Sequence, residues 1–349
     1  FDRKGDDAVG IDIEGVNTFD DVLDRAHEFF GNVKIDFGDG DILVLQRVDV
    51  TDIWINAPGE IWIESLGGGL ERLSEPSMTE ELLGRLAKQI AARSSQGISR
   101  SQPLLAATLP DGSRVQVAAP PATREGHAFA IRKHVSSNLS LADWEEADAF
   151  EDIAGGDMEF ADERQFAKVA AADAAVVLRE AVQNRKNILI AGGTSTGKTT
   201  FLNSLLAEIP REERLVLIED TAELHLQHEN AVGLIAARGE LSEAQISAED
   251  LLIAALRMRP DRFILGELRG VEAFTFLRAV NTGHPGSMTT VHADTPQRAI
   301  EQLSLLVLQA GSKLSRDDVR HYVRESVDVF VQLERRAGKR RVSEVLAVK

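Results

Sequence analysis

The sequence predicts an α/β protein, with a parallel sheet in its C-terminal half and a smaller α+β domain before it. Three observations lead to this prediction. From residue 166 onward, short apolar segments alternate with amphipathic ones, which is the pattern of parallel strands covered by helices. A glycine-rich turn joins one of those strands directly to a helix. Before residue 136, short strands of alternating polarity flank a single helix, and 349 residues are enough for two domains.

Composition excludes several classes of protein. Hydrophobic residues make up 43% of the chain and charged residues 27%, as in globular proteins. The net charge of -17 argues against a broad, sequence-independent DNA-binding surface, although it permits a local basic groove. The absence of cysteine excludes disulfides and cysteine-ligated zinc. The lack of cysteine fits a reducing cytoplasm, but it fits other compartments too. No apolar run reaches the roughly 20 residues that cross a bilayer, so we expect any membrane association to be peripheral or through partners.

Residues 1–50 differ from the rest and are predicted to form an atypical acidic lead-in. They hold 13 acidic and 5 basic residues, and two short strands flank a Gly-Asp-Gly-Asp turn signal. The segment resembles the C-terminal end of secreted calcium-binding repeat proteins of the RTX type, but their glycine-rich nonapeptide repeats are absent. Asp36, Asp39 and Asp41 lack the spacing of a helix–loop–helix calcium site, which favours a solvated acidic hairpin.

Residues 51–135 are predicted to form the small α+β domain. Apolar residues alternate through its first strands, as expected of strands with one buried face. Thr79 precedes helical spacing and is a suitable helix N-cap. The acidic, irregular residues 136–165 that follow are expected to be an exposed linker. The predicted elements are strands at 51–56 and 61–64, a helix at 79–92, two strands within 104–119 and a strand at 128–133.

Residues 166–349 are predicted to form the parallel-sheet domain. Its strands are short and almost uniformly apolar, which is typical of strands buried on both faces. Because helical crossovers connect them, their carboxyl ends meet at one edge, where such folds bind ligands. The predicted strands lie at 187–191, 215–218, 262–265 and 287–291, and the predicted helices at 166–184, 198–208, 248–257, 271–280 and 296–310.

A phosphate-binding loop follows the first of these strands. Residues 192–199 match G-x-x-x-x-G-K-T and lie where the motif requires, between an apolar strand and a helix. Glycines let backbone N–H groups turn towards phosphates, and the helix N-terminus adds partial positive charge. Lys198 is predicted to reach the β- and γ-phosphates, and Thr199 to bind Mg²⁺. The residues predicted to bind the nucleotide are Gly192, Gly193, Thr194, Ser195, Thr196, Gly197, Lys198, Thr199 and Thr200.

Two further strands deliver carboxylates to the same edge. Glu267 follows one apolar strand and is predicted to hold magnesium or to polarise the attacking water. Glu219 ends another and is the second candidate for orienting water or metal. Asp220 and Glu223 are equally well explained as caps of the segment that follows.

Two histidines, His284 and His292, flank the last predicted strand within a segment rich in glycine, serine and threonine. A lone histidine is more often packed or exposed than functional. His292 follows the strand directly and is therefore a candidate sensor of the γ-phosphate. The spacing of the pair and the absence of cysteine argue against zinc binding.

These four segments, in this order, resemble one family. It is the type II/IV secretion ATPase superfamily, in particular the hexameric traffic ATPases of type IV secretion and conjugation. The resemblance covers about residues 48–349, and the acidic segment takes the place of the helical lead-in usual in the family. The matching spellings are Gly-Gly-Thr-Ser-Thr-Gly-Lys-Thr-Thr at 192–200, Ile-Glu-Asp-Thr at 218–221, Leu-Gly-Glu-Leu-Arg-Gly at 265–270, and the segment 281–294.

The resemblance implies a motor that hydrolyses ATP with Mg²⁺ to power substrate translocation or pilus assembly. It implies a RecA-like C-terminal domain, an N-terminal domain that completes the nucleotide site, and a homohexameric ring held at the inner membrane by partner proteins. Arg114 and Arg132 match two family arginines that reach the phosphates; by themselves they would be taken as solvent-facing strand-edge charges. Arg257 and Arg259 are candidates to face a neighbouring subunit. The implied catalytic residues are Lys198, Glu219, Glu267 and His292, with Thr199 and Glu267 on the metal.

Three alternatives stay open at this point. A type II secretion or pilus motor has related motifs, but such chains commonly carry a four-cysteine zinc module, and this chain has no cysteine. A RecA-like nucleic-acid translocase would need a basic strip with aromatic residues, which the acidic chain lacks, and we expect no direct sequence-specific nucleic-acid binding. A calcium-binding structural role is suggested by residues 1–50 alone.

Overall fold

The computed structural model describes residues 35–36, 41–42, 47, 49–65, 69–94, 96–109, 112–133, 139–153, 156–158, 166–236, 245–336 and 338–348. The first described elements are two short strands, β1 (Ile35–Asp36) and β2 (Asp41–Ile42), which pair antiparallel. This pairing confirms the hairpin predicted in the acidic lead-in. Asp39 and the remaining expectations for residues 1–34 lie outside the described residues.

The first domain is a six-stranded antiparallel sheet with one helix packed on it. The helix, α1 (Glu80–Arg93), begins after Thr79, whose side chain accepts a hydrogen bond from the Leu82 N–H, as predicted. Its apolar face and alternate residues of the sheet form one hydrophobic core. The strands are β3 (Val50–Ile55), β4 (Glu60–Ser65), β5 (Leu70–Ser74), β6 (Leu104–Thr108), β7 (Arg114–Ala118) and β8 (Ala128–Arg132), in the sheet order β5-β4-β3-β8-β7-β6.

Residues 139–153, which lie between the two domains, pack into the second one. Helix α2 (Leu141–Glu146) opens with a capping box formed by Ser140 and Asp143. The expectation of an exposed linker is therefore wrong for residues 139–153, because the apolar side chains of this acidic stretch turn inward. Those buried in the core of the second domain are Leu141, Trp144, Ala149, Phe150 and Ile153.

The second domain is built on a nine-stranded sheet in which six neighbouring strands are parallel and three antiparallel strands extend one side. The order is β13-β12-β14-β15-β11-β16-β17-β10-β9. In chain order the strands are β9 (Gly156–Met158), β10 (Phe166–Lys168), β11 (Ile188–Gly192), β12 (Leu215–Glu219), β13 (Ala231–Ile235), β14 (Arg262–Leu265), β15 (Met288–Val291), β16 (Val329–Arg336) and β17 (Lys339–Val348).

Helices cover both faces of this sheet, which explains why β11, β12 and β14 are buried along their whole length. The α/β class is thus confirmed. Within the described ranges, no helix combines the length and apolar character that a bilayer crossing demands. The helices are α3 (Ala174–Gln183), α4 (Lys198–Leu206), α5 (Ala248–Ala255), α6 (Glu272–Asn281), α7 (Pro296–Gln309) and α8 (Arg316–Ser326).

Several elements differ from the sequence prediction. The helix expected from residue 166 starts only at Ala174. Phe166 instead begins β10, because its fully buried ring packs on Phe330 while its backbone pairs with Val348 of β17. Strand β13, helix α8 and the hairpin of β16 and β17 were not predicted, although β16 lies directly beside β11 in the sheet.

A buried ion pair fixes the sheet edge where β12, β14 and β15 begin. The guanidinium of Arg262 has no exposed surface and donates two hydrogen bonds of 2.7 Å to the carboxylate of Glu213. A third bond of 2.7 Å runs to the carbonyl of Val182, at the end of α3. A Cβ on Gly286 would lie 2.8 Å from the Arg262 Nη1. One side chain therefore ties together the segments that enter the sheet.

Replacing Glu213 by alanine should destabilise the second domain strongly, because Arg262 would stay buried without its counter-charge. The expected loss is about 3–5 kcal/mol of the free energy of unfolding. It can be measured by denaturant unfolding of the two variants Glu213→Ala and Glu212→Ala, where the exposed Glu212 is the matched control. Equal stabilities of the two variants would contradict the role given to this ion pair.

Candidate functional site

Four neighbouring parallel strands end at one edge of the second domain's sheet. Strands β12, β14, β15 and β11 lie side by side and run in the same direction. Their carboxyl ends therefore present the chain segments that contain Glu219, Glu267, His292 and the start of the phosphate loop at Gly192. This edge is where open parallel sheets bind ligands.

A cleft of about 580 Å³ lies between this edge and the first domain. Its volume falls within the range of roughly 300–1,000 Å³ that is usual for small-molecule sites. The first domain contributes Arg114 and Arg132, which the sequence analysis singled out. Of the other predicted site residues, only Gly192 does not line the cleft. Those that line it are Gly193, Thr194, Ser195, Thr196, Gly197, Lys198, Thr199, Thr200, Glu219, Glu267 and His292.

The phosphate loop has the backbone that its sequence predicts. Gly197 immediately precedes α4 and has a φ of +93°, a conformation that side chains disfavour. The Thr196 hydroxyl donates to the carbonyl of Gly193 over 2.9 Å. A Cβ on Gly192 would lie 2.5 Å from that hydroxyl oxygen, so this position has room only for glycine. The loop thus turns tightly into the N-terminus of α4, which favours an anion there.

Lys198 lies at the start of α4 and turns back over the loop. Its Nζ donates to the carbonyl oxygens of Gly192 and Gly193, over 2.9 and 3.0 Å. The Glu267 Oε1 lies 3.8 Å from the same nitrogen. Burial lowers the pKa of Lys198, and the charge of Glu267 opposes that change. The ammonium group therefore lies between the loop and the acid that follows β14.

Glu267 is held by a second cation, Arg269, which also pairs with Asp220 over 3.2 Å. The backbone of this turn is fixed in place because the buried Glu272 carboxylate accepts hydrogen bonds of 2.8 Å from the N–H groups of Arg269 and Gly270. Arg269 also lines the cleft. In the sequence, Arg269 is visible only as part of the segment Leu-Gly-Glu-Leu-Arg-Gly at 265–270, and no role was predicted for it.

Glu219 lies at the end of β12 and is buried. One oxygen, Oε1, accepts hydrogen bonds of 2.8 Å from the backbone N–H groups of Glu223 and Leu224. Burial raises the pKa of Glu219 to about 7, although these two N–H groups act to lower it. Asp220 and Glu223 were considered as caps of the segment that follows β12. The backbone N–H groups of Glu223 and Leu224 in that segment instead donate to Glu219.

The two arginines of the first domain reach across the cleft. They are directly paired residues of β7 and β8. Arg132 donates to the Ser195 hydroxyl of the phosphate loop and lies 3.6 Å from Asp52. Arg114 pairs with Glu223, while its Nε is buried with no hydrogen-bond partner among the described residues. Both side chains thus line the cleft, and Arg132 is at the same time exposed to solvent.

The two histidines separate. His292 is exposed and lines the cleft just after β15. The position of that strand is fixed partly by the Thr290 hydroxyl, which donates to the Gly266 carbonyl over 2.8 Å. His284 lies against the ring of Phe263, with centroids 4.7 Å apart, and does not line the cleft. Neither do Arg257 and Arg259, which are exposed beyond the end of α5.

Two arginines of the cleft, Arg335 and Arg340, were missed by sequence reasoning. Arg335 and Arg340 come from the hairpin of β16 and β17, together with Gly338 near its tip. Arg335 pairs with Glu64 of the first domain over 3.4 Å. No local motif marks them, and the only available signal was the density of arginines in the last 20 residues.

The donors present fit a magnesium ion. The Thr199 hydroxyl and the Glu267 carboxylate both line the cleft beside the phosphate loop. In the part of the chain that the structure describes, no group of three or more His, Asp and Glu side chains converges on one point. Magnesium in nucleotide sites is usually held by one or two protein oxygens together with the phosphates, which is the donor set available here.

Fold and site together define a nucleoside-triphosphatase: a phosphate loop at the carboxyl edge of a parallel RecA-like sheet, two carboxylates at or just after the ends of neighbouring strands, and arginines from the first domain. Comparison with known proteins narrows this class. The model of the family described as "Type II/IV secretion system protein" matches residues 38–343. The chain belongs to that family and is an ATP-hydrolysing enzyme.

Known relatives agree with this assignment over most of the chain. The chain is 38% identical over 318 residues to the type IV secretion system protein VirB11 of Bartonella henselae, covering 86% of this chain and 89% of the relative. It is 33% identical to the conjugal transfer protein TrbB of Rhizobium radiobacter, covering 89% and 87%. The fold is similar to the Legionella pneumophila ATPase DotB, with a TM-score of 0.58, 17% identity and coverage of 96% and 82%.

The chain is accordingly a type IV secretion ATPase. These relatives do not favour the alternatives of a type II secretion or pilus motor, or of a nucleic-acid translocase. None of these matches supports the resemblance of residues 1–50 to a secreted calcium-binding protein. The family match begins at residue 38, inside the acidic lead-in.

Proposed function

We propose that ATP binds in the cleft between the two domains and that its hydrolysis there drives movement of one domain against the other. The observation that carries this proposal is the hydrogen bond from Arg132 of the first domain to Ser195 of the phosphate loop. A nucleotide in the loop would lie against both domains at once. Its phosphates would then favour the arrangement in which Arg114 and Arg132 are closest to them, which is a population shift driven by contacts.

In this proposal, two cations of the cleft exchange the neutral hydrogen-bond partners that they now have for phosphate oxygens when nucleotide binds. Lys198 leaves the carbonyls of Gly192 and Gly193 and binds the β- and γ-phosphates. Arg132 leaves the Ser195 hydroxyl for a phosphate oxygen, since charge-assisted bonds to phosphate are stronger than bonds to a neutral hydroxyl. His292, exposed at the same edge, is placed to contact the γ-phosphate.

Thr199 and Glu267 are the residues proposed to hold Mg²⁺, which supplies neutralisation of the phosphate charge. Glu219 is proposed to orient the attacking water and accept its proton. Its Oε1 is fixed by two backbone N–H groups, which positions the carboxylate at the cleft wall. Its pKa of about 7 suits a general base that works near neutral pH. Glu267, tied to Lys198 and Arg269, is less free for that task.

Replacing Lys198 by alanine should abolish ATP hydrolysis, because the cation proposed to bind the β- and γ-phosphates is lost. We expect phosphate release to fall by about two orders of magnitude or more. Lys186→Ala, which removes an exposed lysine of the same domain, is the control and should hydrolyse ATP like the wild type. A Lys198→Ala variant that keeps full turnover would reject the site.

Hydrolysis by the wild type should fall as the pH drops through about 7, because Glu219 accepts a proton only when it is ionised. The variant Glu219→Gln keeps an oxygen for the two backbone N–H groups but cannot act as a base. It should lose kcat, lose the acidic limb of the pH profile and retain nucleotide affinity. Glu212→Gln is the control. If the pH dependence of hydrolysis were the same in Glu219→Gln as in the wild type, another group would accept the proton of the attacking water.

The working form is proposed to be a homohexameric ring attached peripherally to the inner membrane through components of the secretion system. An exposed apolar surface supports contact between copies. It includes Ile235 at the end of the edge strand β13 and, on or just after α5, Ile253 and Leu256, which are 36–45% exposed. Arg257 and Arg259 lie next to this surface and are proposed to face the neighbouring subunit. No direct sequence-specific nucleic-acid contact is proposed.

Light scattering of the full chain tests the ring. With ATP and Mg²⁺ we expect a particle of six chains of 38.1 kDa each. Ile253→Glu should reduce the particle mass, because a charge would be buried at the proposed contact. Ile246→Glu, at another exposed isoleucine, is the comparison. A monomer under all conditions would contradict the ring while leaving the nucleotide site intact.

A further inference from the structure

The hairpin of β16 and β17 extends over the phosphate loop. Strand β16 runs parallel to β11, and Leu333 is the register partner of Gly192, the first residue of the loop. Residues of β16 beyond Leu333 therefore continue past the sheet edge, above the cleft. Arg335, Gly338 and Arg340 line the cleft from this side. The C-terminal hairpin thus forms a third wall of the nucleotide site, beside the loop and the first domain.

Arg340 lies across the start of helix α4. A Cβ on Gly197 would come within 2.8 Å of the Arg340 Cδ, so the side chain passes directly over that glycine. The Arg340 Nη1 donates to the Thr200 hydroxyl over a long 3.4 Å. The guanidinium is therefore held beside the first helical turn, where backbone N–H groups have no partner within the helix.

Arg340 differs from its cationic neighbours because it has no carboxylate partner among the described residues. Arg132 has Asp52, Arg114 has Glu223 and Arg335 has Glu64. Arg340 is half-buried, and burial together with the charges of Arg335 and Arg132 lowers its pKa. A partly desolvated guanidinium among like charges is unfavourable unless an anion offsets it. The anion that fits this place is a phosphate in the loop.

The place where Arg340 lies against α4, beside Thr200, indicates which phosphate it would contact. Lys198 and Glu267 mark the end of the site for the β- and γ-phosphates and the metal. Thr200 is two residues beyond Lys198, and at 3.6 residues per turn it faces about 200° away around the helix. We propose that Arg340 binds the α-phosphate of the nucleotide, the phosphate that ATP and ADP share. This inference rests on the proposed function of the cleft and adds a nucleotide-binding residue to it.

An arginine on the α-phosphate makes the same contact before and after hydrolysis. The arginine should therefore contribute equally to the affinity for ATP and for ADP. Its removal should raise the KM for ATP without changing kcat. It would also retain ADP after the γ-phosphate leaves. Arg132 and Lys198, by contrast, are assigned to the groups that change during the reaction.

The test measures binding of ADP and of a non-hydrolysable ATP analogue by calorimetry, with Mg²⁺ present. Arg340→Gln should weaken both by a similar factor, on the order of tenfold to a hundredfold. Arg340→Lys, which keeps the charge, should recover part of that loss. The matched control is Arg336→Gln on the same hairpin, whose side chain is 71% exposed and lies 3.8 Å from Asp152; it should bind like the wild type.

Other results would overturn the inference. A loss confined to the triphosphate analogue would move Arg340 to the γ-phosphate. If Arg340→Gln bound both nucleotides like the wild type but had a lower melting temperature, Arg340 would only pack over Gly197 and would not bind phosphate. If the wild type itself bound neither nucleotide, the proposed function of the cleft would fail and this inference with it. Binding by the wild type with equal binding by Arg340→Gln would reject only the inference.

Discussion

The parallel alignment of β11, β12, β14 and β15 is the constraint on which the site depends. Each strand is short, buried and hydrogen-bonded to its neighbour, so none can shift without breaking a ladder that no water can replace. Groups far apart in sequence are thereby delivered to one edge. The buried Arg262–Glu213 pair acts at the opposite edge, where it joins the segments that enter the sheet. Disruption of this ion pair would shift the strands and thereby displace the residues that they carry into the cleft.

The charge distribution of the cleft runs against that of the chain. The protein carries a net charge of -17, yet arginines and two lysines from three separate parts of the fold line the cleft around the phosphate loop. The nearby acids pair with most of them: Glu267 with Arg269, Glu223 with Arg114 and Asp52 with Arg132. Such pairs limit repulsion between the cations while leaving them close to where phosphates would bind. An acidic surface with a locally basic cleft also suits a nucleotide ligand better than a nucleic-acid strand.

Much of the cleft was predictable because its parts follow local rules. The loop from Gly192 to Thr199 matches a motif whose glycines dictate its backbone, Glu219 ends an apolar strand, and Glu267 closely follows another. Arg340 was not predictable, because it enters the site from a hairpin whose pairing depends on contacts distant in sequence. The helix expected at Phe166 failed for a related reason. The spacing of apolar residues there fits a helix, but residues 166–168 form a strand because their backbone pairs with β17.

The burial of Trp144 bears on where the second domain begins. Its indole N–H donates to the Ser204 hydroxyl in α4 over 2.9 Å, and that hydroxyl donates in turn to the carbonyl of Leu139. Its ring meets Phe201 edge-on, with centroids 5.0 Å apart. An excised fragment starting at residue 166 would uncover this surface on the helix that carries Lys198. Residues 139–153 therefore belong, by their contacts, to the second domain, whose hydrophobic core includes side chains from Leu141 onward.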